Sequence, residues 1–415
     1  MTSLALSLWI ALGIVLQLAI YLGIGFWRHW KNYQSLRGQK TGLERPEEPA
    51  AEEAASALWP GFRTFRVKRK VFEDAAQSIC SFYLVPEDQK PLPPFLPGQF
   101  LTFSLDIAAA SGHVVRCYSL SDAPSSDFYR VSIKRARASA DRSSSPGLAS
   151  GHFHDHIAEG DLVQVRAPSG HFHIDHSDAP VVLIGSGIGI TPMLSMLNWS
   201  LAQQKEREIW LFYGVRHGRE LIMRQHLEVL AAKHPNFHLH VCFSDPQADE
   251  LLGRDFPHRG HIDLALLRMQ LPIKPYHFYI CGPSAMMENL VPALEDWGVP
   301  EARIHFEAFG PASIRGNPAP VTASSTQDDA TDIVVNFSQS GKQLRWSSST
   351  GSLLELAEAN GVSINSGCRS GSCGSCQTSI KSGEVSYRQP PDFDPEPGTC
   401  LLCVCMPKTS LTLEV

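Results

Sequence analysis

The stretch SGCRSGSCGSC, residues 366–376, is the most informative part of the chain. It places Cys368, Cys373 and Cys376 with four and then two residues between them, and Cys403 follows after 26 intervening residues. Cysteine thiolates bind iron and zinc, and the glycines and serines between them let the backbone turn tightly and point N–H groups at sulfur. The stretch therefore predicts a metal centre held by four cysteines.

The spacing of these cysteines distinguishes between two kinds of centre. Cys-x4-Cys-x2-Cys with a distant fourth cysteine is typical of a 2Fe-2S cluster, whereas a structural zinc, the alternative, favours paired Cys-x2-Cys knuckles. Upstream, residues 333–346 predict a hairpin and residues 352–360 a short helix. With residues 401–407, this order resembles a plant-type ferredoxin. The resemblance implies an α+β ferredoxin-like domain over residues 333–415, with Cys403 as fourth ligand, Cys405 as a packed thiol and the role of Cys400 open.

Length, charge and cysteine content narrow the possible functions. The 415 residues predict two to four domains, and a formal charge of -6 gives no field that would hold a nucleic acid, so we expect no nucleic-acid partner. Ten cysteines are too few for a disulfide scaffold and indicate a reducing compartment. Residues 312–332, rich in Pro, Ser, Thr and Asp, predict a linker before the ferredoxin domain.

Residues 59–175 predict a small antiparallel β-barrel. Short alternating runs over residues 65–69, 82–85, 100–103 and 162–165 are separated by turn residues such as Pro97-Gly98 and Gly160-Asp161. One strand carries Arg116, Tyr118 and Ser119, which supply a guanidinium, an aromatic ring and a hydroxyl. These groups suit a flat, phosphorylated, nitrogen-rich ring system.

Residues 176–311 predict an α/β domain with a parallel sheet. The apolar run over residues 181–184 ends in GSGIGITP, which contains Gly185, Gly187, Gly189, Thr191 and Pro192. The glycines let the backbone approach a pyrophosphate, and we expect a helix that starts at Thr191, with threonine as N-cap and proline in first position. Ile190 departs from G-x-G-x-x-G, so a standard Rossmann fingerprint is not predicted.

Together these motifs resemble the ferredoxin-NADP reductase-like flavoproteins, in particular bacterial oxygenase and desaturase reductases and the reductase half of flavohaemoglobins. The resemblance implies that FAD, or alternatively FMN, binds in the barrel. Its phosphate would pair with Arg116, its ring would stack on Tyr118, and Ser119 would lie near N5. Gly147 and Ser150 would present N–H groups to the diphosphate.

The resemblance also implies a site for NADH or NADPH formed by the glycine turn and by Cys281, Gly282 and Pro283, with the thiol of Cys281 beside the nicotinamide. Arg216, with Arg219, would meet the adenosine end. Glu307 and Phe309 would lie near the flavin edge, so that Ser119, Cys281 and Glu307 are the predicted catalytic residues. Histidines at 152, 154, 156, 171, 173 and 176 allow a metal site as an alternative, but the resemblance explains them as surface and turn positions.

Residues 4–27 carry no charge, and their length predicts an N-terminal transmembrane helix over residues 1–27, with a cleaved signal peptide as the alternative. Basic residues on the C-terminal flank predict a single pass through the inner membrane with the catalytic domains in the cytoplasm. Residues 28–58 form the predicted linker, and within it residues 41–58, rich in Pro, Ala and Glu, predict a solvated tether.

The domain order predicts a membrane-anchored reductase. It would pass electrons from NAD(P)H through a flavin and a 2Fe-2S cluster to a protein acceptor, implied by the resemblance to be an oxygenase, hydroxylase or desaturase, and the anchor favours an acceptor in the membrane. The alternative is a membrane-tethered redox sensor or electron carrier that NAD(P)H does not turn over.

Overall fold

The computed structural model describes residues 59–107, 113–136, 147–309, 333–347, 350–369, 371–387, 391 and 393–415. These residues belong to one compact unit, Ala57–Val415. Three large sheets and a two-stranded pair, packed around four hydrophobic clusters, divide this unit into a barrel, a parallel α/β domain and a smaller mixed domain.

The first domain is a six-stranded antiparallel barrel with strand order β4-β3-β6-β1-β2-β5. An isolated bridge between Leu120 and Val131 joins the outer strands and closes the sheet. Large side chains such as Phe65, Phe82 and Phe103 fill the interior. The predicted antiparallel β-barrel is therefore confirmed, with elements β1 Arg63–Phe72, β2 Ile79–Pro86, β3 Phe100–Asp106, β4 His113–Ser119, β5 Tyr129–Lys134, α1 Leu148–Asp155 and β6 Leu162–Ser169.

The second domain is a six-stranded parallel sheet with strand order β10-β9-β8-β7-β11-β12. Its elements are β7 Val181–Ser186, α2 Ile190–Gln203, β8 Ile209–Val215, α3 Arg224–Lys233, β9 Phe237–Phe243, β10 His258–Arg259, α4 Leu264–Gln270, β11 His277–Gly282, α5 Ser284–Asp296 and β12 Ile304–Ala308. Helices α2 and α3 cover one face, and α4 and α5 cover the other. The strand order reverses beside β7, which places the predicted glycine turn at the switch point where ligands bind such sheets.

The third domain combines a five-stranded mixed sheet, order β14-β13-β19-β15-β17, with the pair β16-β18. Its elements are β13 Val334–Phe337, β14 Lys342–Arg345, α6 Leu353–Ala359, β15 Gln377–Ser382, β16 Val385–Tyr387, β17 Thr399–Leu401, β18 Cys405–Pro407 and β19 Leu411–Leu413. The predicted hairpin and helix are both confirmed. Ser352 caps α6 through a reciprocal pair of hydrogen bonds with Glu355, which satisfies two of the free N–H groups at the helix start.

The structure corrects the predicted fold class in one respect. No helix among the described residues has the length and apolar composition needed to cross a membrane. The longest, α2, has 14 residues and extends about 21 Å, less than the roughly 30 Å of a hydrocarbon core. The predicted transmembrane helix lies outside the described residues, as do the predicted linkers 28–58 and 312–332. The corrected fold class is a barrel, an α/β and an α+β domain, and the transmembrane helix is no longer part of it.

Candidate functional site

A cleft of about 760 Å³ lies where the three domains meet. Its volume is in the range of sites for drug-sized ligands and cofactors. All three domains contribute to its wall, among them Arg116, Tyr118, Ser119, Lys134, Gly147, Leu148, Ser150, His171, Ile188, Thr191, Phe306, Glu307, Phe309, Ser366, Gly367, Cys368 and Arg369. The structure therefore brings predicted flavin, nucleotide and metal residues to one cavity.

The barrel wall of the cleft comes from the end of β4. Tyr118 is half-buried, and its ring lies edge-on to Phe103 and Phe153, with centroids 5.8 and 5.4 Å away. Burial raises the pKa of the Tyr118 phenol, so it stays protonated. Arg116 is exposed and donates to the carbonyl oxygen of Ser366 in the third domain, at 3.3 Å. The Tyr118 ring is thus held in a fixed orientation beside the exposed positive charge of Arg116. This arrangement fits a flavin ring and its phosphate.

The start of helix α1 forms a second side of the cleft. Gly147 is the N-cap, and a Cβ there would lie 2.6 Å from both Ala136 Cβ and Ser150 Oγ, so glycine is required. The hydroxyl of Ser150 accepts from Ala136 N–H at 3.1 Å, which fixes the turn. The first N–H groups of a helix have no acceptor within it and carry partial positive charge. This end of the helix can bind a phosphate.

The glycine turn packs against the end of β11. A Cβ at Gly189 would lie only 2.2 Å from the carbonyl oxygen of Cys281, so the two backbones touch directly. Gly187 has a left-handed backbone with φ of 55° in the short 3-10 turn Gly187–Gly189, and Gly185 ends the buried part of β7. Of the nucleotide-binding residues predicted in this turn, Thr191 is the one that lines the cleft.

The predicted N-cap of the following helix, Thr191, is wrong by two residues. Helix α2 begins at Ile190 and its N-cap is Gly189, because the 3-10 turn already winds the backbone before Thr191. Thr191 donates its hydroxyl back to the carbonyl oxygen of Ile188 at 2.9 Å and does not cap the helix. Pro192 lies within the first turn, where its missing N–H costs no hydrogen bond.

Cys281 lies fully buried on β11, opposite Glu307 on β12. Burial, with a smaller contribution from Glu307, raises the pKa of the Cys281 thiol, so it is neutral at physiological pH. Gly282 packs on Met286, and Pro283 is the N-cap of α5. These three residues lie behind the glycine turn and are not part of the cleft wall, whereas Glu307 and Phe309 are.

The carboxyl group of Glu307 is unusual for a buried acid. Its Oε2 atom is buried and has no hydrogen-bond partner among the described residues. Burial, with a smaller effect of Cys368, raises the pKa of Glu307 to about 8. The carboxyl therefore holds a proton at neutral pH and can donate a hydrogen bond to a ring bound in the cleft.

The predicted adenosine-end residues lie apart from the cleft wall. Arg216 directly follows β8, is largely exposed and forms an ion pair with Glu220. Burial would raise the pKa of the Glu220 carboxyl, but the hydrogen bond from Arg216 and the nearby charge of Lys134 outweigh burial and lower this pKa. Arg219 is exposed in the neighbouring 3-10 turn Gly218–Glu220.

The cysteine loop is preorganised for sulfur ligands. The N–H groups of Ser372 and Cys373 donate to Cys368 Sγ at 3.2 and 3.3 Å, and Cys368 N–H donates to Cys373 Sγ at 3.2 Å. Gly371 and Gly374 have φ values of 78° and 71°, which favour glycine. N–H groups aimed at sulfur are the second shell that an iron–sulfur cluster requires, so the residues present fit the predicted centre.

The contacts among the remaining cysteines separate two groups. The thiol of Cys403 contacts those of Cys368 and Cys376, which places it with the predicted ligands. The thiol of Cys405 contacts Cys400 instead, and both are fully buried. This placement agrees with Cys403 as the fourth ligand and with Cys405 as a packed thiol.

One prediction about the histidines needs correction, that for His154, whereas His171 is exposed at a bend as predicted. His154 is buried on the inner face of α1, where its Nε2 lies 2.9 Å from the carbonyl oxygen of Ile133, so it is not a surface residue. His171 lies on the cleft wall. The His152 and His156 rings lie 5.3 Å apart with their planes tilted by 37°, and the exposed His176 stacks on Trp199. These contacts are with other side chains of the protein.

Several cleft residues were missed by the sequence analysis, among them Lys134, Leu148, His171, Phe306 and Arg369. Lys134 is the last residue of a strand that neighbours the flavin wall, and this position was a usable signal. Arg369 has a left-handed backbone with φ of 58° and bonds Glu358 through both carboxylate oxygens, at 2.6 and 2.8 Å. Nothing local in the sequence indicates that pairing.

Comparison with known proteins agrees with this arrangement. Residues 183–291 match the oxidoreductase NAD-binding domain, and residues 336–408 match the 2Fe-2S iron-sulfur cluster binding domain. A Bordetella pertussis flavohemoprotein is 38% identical over 282 residues, which cover 67% of this chain and 68% of that protein. A Halalkalibacterium halodurans flavohemoprotein is 38% identical over 269 residues, 64% of each chain. The chain thus spans about two thirds of the length of the curated relatives it matches.

Two solved structures are similar to large parts of this fold. The flavohaem-like FAD/NAD binding domain of nitric oxide dioxygenase from Vibrio cholerae matches with 34% identity and a TM-score of 0.53, covering 60% of this chain and 100% of that one. Phthalate dioxygenase reductase, described as a modular structure for electron transfer from pyridine nucleotides to [2Fe-2S], matches with 27% identity and a TM-score of 0.50, covering 88% and 99%.

Fold, cleft and comparisons define the class first: an NAD(P)H-dependent oxidoreductase with FAD, a nicotinamide nucleotide and a 2Fe-2S cluster as cofactors. Within that class, the chain belongs to the ferredoxin-NADP reductase-like flavoprotein family, in the form that carries a 2Fe-2S ferredoxin domain.

Proposed function

We propose that this protein passes electrons from NADH through FAD and a 2Fe-2S cluster to an oxygenase, hydroxylase or desaturase. One observation carries the proposal: the flavin-wall residue Tyr118, the buried acid Glu307 and the ligand Cys368 all line one cleft. When bound, these cofactors supply the chemistry, because a flavin takes up a hydride and gives up single electrons, and a cluster carries one electron at a time.

The barrel would hold the flavin by three contacts. Tyr118 supplies a ring face whose tilt is fixed by its aromatic neighbours. Arg116 and Lys134 bring positive charge to the cleft, and the α1 start offers N–H groups to a diphosphate. A site with two anion-binding elements and this volume suits FAD better than FMN.

The nucleotide domain would bring the nicotinamide to the flavin from the side of the glycine turn. Thr191 and Phe309 line that side of the cleft, and the neutral thiol of Cys281 lies buried behind it. Protonated Glu307 would donate a hydrogen bond toward the ring system without placing a charge there. These residues orient the reactants and exclude water, which is the protein's part in hydride transfer.

The choice of NADH rests on Glu220. Its carboxylate pairs with Arg216, the cation predicted to meet the adenosine ribose. A 2'-phosphate would have to displace this carboxylate and would be repelled by it, whereas the hydroxyl groups of NADH would not.

The acceptor is proposed from the relatives. Phthalate dioxygenase reductase, whose structure matches 88% of this chain, serves an oxygenase by its name. We place the catalytic domains in the cytoplasm, because all ten cysteines are free thiols in the structure and a reducing compartment keeps them so.

An anaerobic titration tests the relay. The full chain is titrated with NADH and, separately, with NADPH while the flavin and cluster absorption bands are recorded. We expect NADH to bleach both bands near stoichiometry and NADPH to do so only at much higher concentration. Bands that dithionite bleaches but neither nucleotide does would contradict the proposal and favour a redox sensor or carrier.

A matched pair of variants tests the nicotinamide site. Cys281→Ala is expected to slow flavin reduction by NADH about tenfold or more and to leave bound flavin intact, since misplacing a reactant by about 1 Å can cost on the order of a hundredfold. Cys242→Ala removes an equally buried thiol from β9 of the same sheet and is expected to leave this rate unchanged. Equal rates in the two variants would remove Cys281 from the site.

A further inference from the structure

Arg166 lies on β6 of the barrel but makes its contacts in the ferredoxin domain. Its Nη1 donates to the backbone carbonyl oxygen of Cys373, a predicted cluster ligand, at 2.6 Å. Its guanidinium also lies 4.7 Å from the ring centroid of Phe62 in the barrel and 5.0 Å from that of Phe393 in the ferredoxin domain. One side chain therefore bridges the two domains at the residue that would hold iron.

Arg166 belongs to a row of cross-strand neighbours on the barrel. Thr102 on β3 pairs in register with Arg166 on one side and with Cys117 of β4 on the other, and its Oγ1 lies 3.3 Å from Cys117 Sγ. Cys117 in turn contacts the thiols of Cys368 and Cys373. This row therefore faces the cysteine loop, although Cys117 directly precedes the flavin-wall residue Tyr118.

The cysteine loop is also packed by Phe393, whose ring Arg166 contacts. Phe393 N–H donates to the carbonyl oxygen of Gly371 at 3.0 Å. A Cβ at Gly374 would lie only 2.6 Å from the Phe393 ring, so the ring packs directly on the backbone there. Arg166 thus holds the loop at Cys373 and contacts the ring that packs on it. Displacing the guanidinium would release both contacts.

We propose that Arg166 is a positioning residue for electron transfer, which fixes the cluster loop against the flavin barrel beside Cys117. This role rests on the proposed function, in which one electron leaves the flavin and one is gained by the cluster, with no bond formed or broken. Positioning decides the rate of such a step. A hydrogen bond from a charged donor shifts an equilibrium on the order of tenfold to hundredfold, so losing it depopulates the docked arrangement.

The experiment injects one electron into the flavin of the full, cofactor-loaded chain by laser flash and follows bleaching of the cluster. Arg166→Met keeps the apolar stem but removes the guanidinium, and we expect cluster reduction to slow about tenfold or more. Midpoint potentials of both cofactors and the rate of flavin reduction by NADH should stay unchanged. Arg166→Lys, which keeps a charge and a donor but not the planar group, should slow the step less.

Arg63→Met is the matched control. Arg63 also lies over two aromatic rings of the barrel, Trp59 and Phe65. Among the described residues its guanidinium hydrogen-bonds only the Asp88 carboxylate and the Lys90 carbonyl oxygen, so its loss should not change cluster reduction. An unchanged rate of cluster reduction in Arg166→Met with both cofactors bound would overturn the proposal. Equal slowing in Arg63→Met would also overturn it, as would a shifted cluster potential that accounts for the slower rate. If Arg166→Met loses its cluster, Arg166→Lys decides alone. The flash bypasses the nucleotide, so a chain that NADH cannot reduce refutes the proposed function without deciding this one.

Discussion

The barrel contacts its two neighbouring domains with different chemistry. Toward the nucleotide domain it uses carboxylates: Asp175 pairs with the fully buried Arg207 at 2.7 Å, and Asp122 accepts from Asn198 of α2 at 2.7 Å. Toward the ferredoxin domain it uses the arginines 116 and 166, which donate to neutral backbone carbonyl oxygens. The Asp175–Arg207 ion pair at the first junction can be weakened by acid, whereas the carbonyl oxygens that Arg116 and Arg166 bond at the second junction do not titrate.

The largest effect is expected where a buried cation is removed and its partners are left without it. Arg207→Met removes donors to Asp175, to the Ala179 carbonyl oxygen and to Gln204, and should lower the free energy of unfolding by about 3 kcal/mol in urea denaturation. Arg254→Met breaks an exposed pair with Asp255 and should cost less than about 1 kcal/mol. Similar losses in both variants would show that the buried pair is not what strengthens the first junction.

The acid sensitivity of the same junction is the second test. Burial alone would raise the pKa of Asp175, but hydrogen bonds from Ser177 and Arg207 outweigh it and lower the pKa to about 2. The unfolded chain therefore binds more protons than the folded chain between about pH 4 and pH 2, and stability falls as the pH falls through that range.

Asp175→Asn should accordingly lose about 2 kcal/mol at pH 7, and its difference from the wild type should shrink below about pH 4. Thermal unfolding at a series of pH values measures this. The deficit of Arg166→Met, whose partner cannot titrate, should not narrow over the same pH range. Parallel pH profiles for the two variants would remove the distinction between the junctions.

A third prediction concerns the loop on the ferredoxin side. Glu358→Gln weakens the two-point pairing that holds Arg369 in its left-handed conformation, at a cost of about 1 kcal/mol, and should speed cluster loss to an iron chelator several-fold. Glu384→Gln in the same domain changes only an exposed contact with Lys408 at 4.0 Å and should lose its cluster at the wild-type rate.

The smallest effect is expected at the ring that Arg166 contacts. Phe393→Leu keeps an apolar side chain but loses the cation–π contact, at a cost of about 0.5 to 1 kcal/mol. A double-mutant cycle with Arg166→Met isolates this contribution. Additive effects would mean that the ring and the guanidinium do not cooperate at the second junction.

The sequence predicted those parts of the fold whose signals are local. Alternating strands, the turn at Gly98 with its φ of 112°, and the first three cysteines each form a signal within a few residues. The barrel, the parallel sheet, and the hairpin and helix of the ferredoxin domain were predicted. Thr191 was misplaced because a 3-10 turn and a helix start share the same residue types. His154 was misplaced because only the packing of α1 decides which of its faces is buried.

The contacts between domains could not be predicted. Arg166 and Cys373 are 207 positions apart, and the acceptor is a backbone carbonyl oxygen, which every residue has. Cys117 lies between the predicted flavin residues Arg116 and Tyr118, and no local pattern points it toward another domain. The predicted cleft residues were recognised by their motifs, but their meeting in one cavity depends on these long-range contacts.

The barrel's hydrogen bonds to the cysteine loop have a consequence for engineering. Because Arg116 and Arg166 bond carbonyl oxygens, the side chains at positions 366 and 373 do not determine whether the bonds form. A chimaera in which another 2Fe-2S module replaces residues 333–415 would therefore offer the same two acceptors, provided that its loop follows the same path. The preference for a protein electron acceptor could then be changed by replacing this module, while the flavin and nucleotide domains stay as they are.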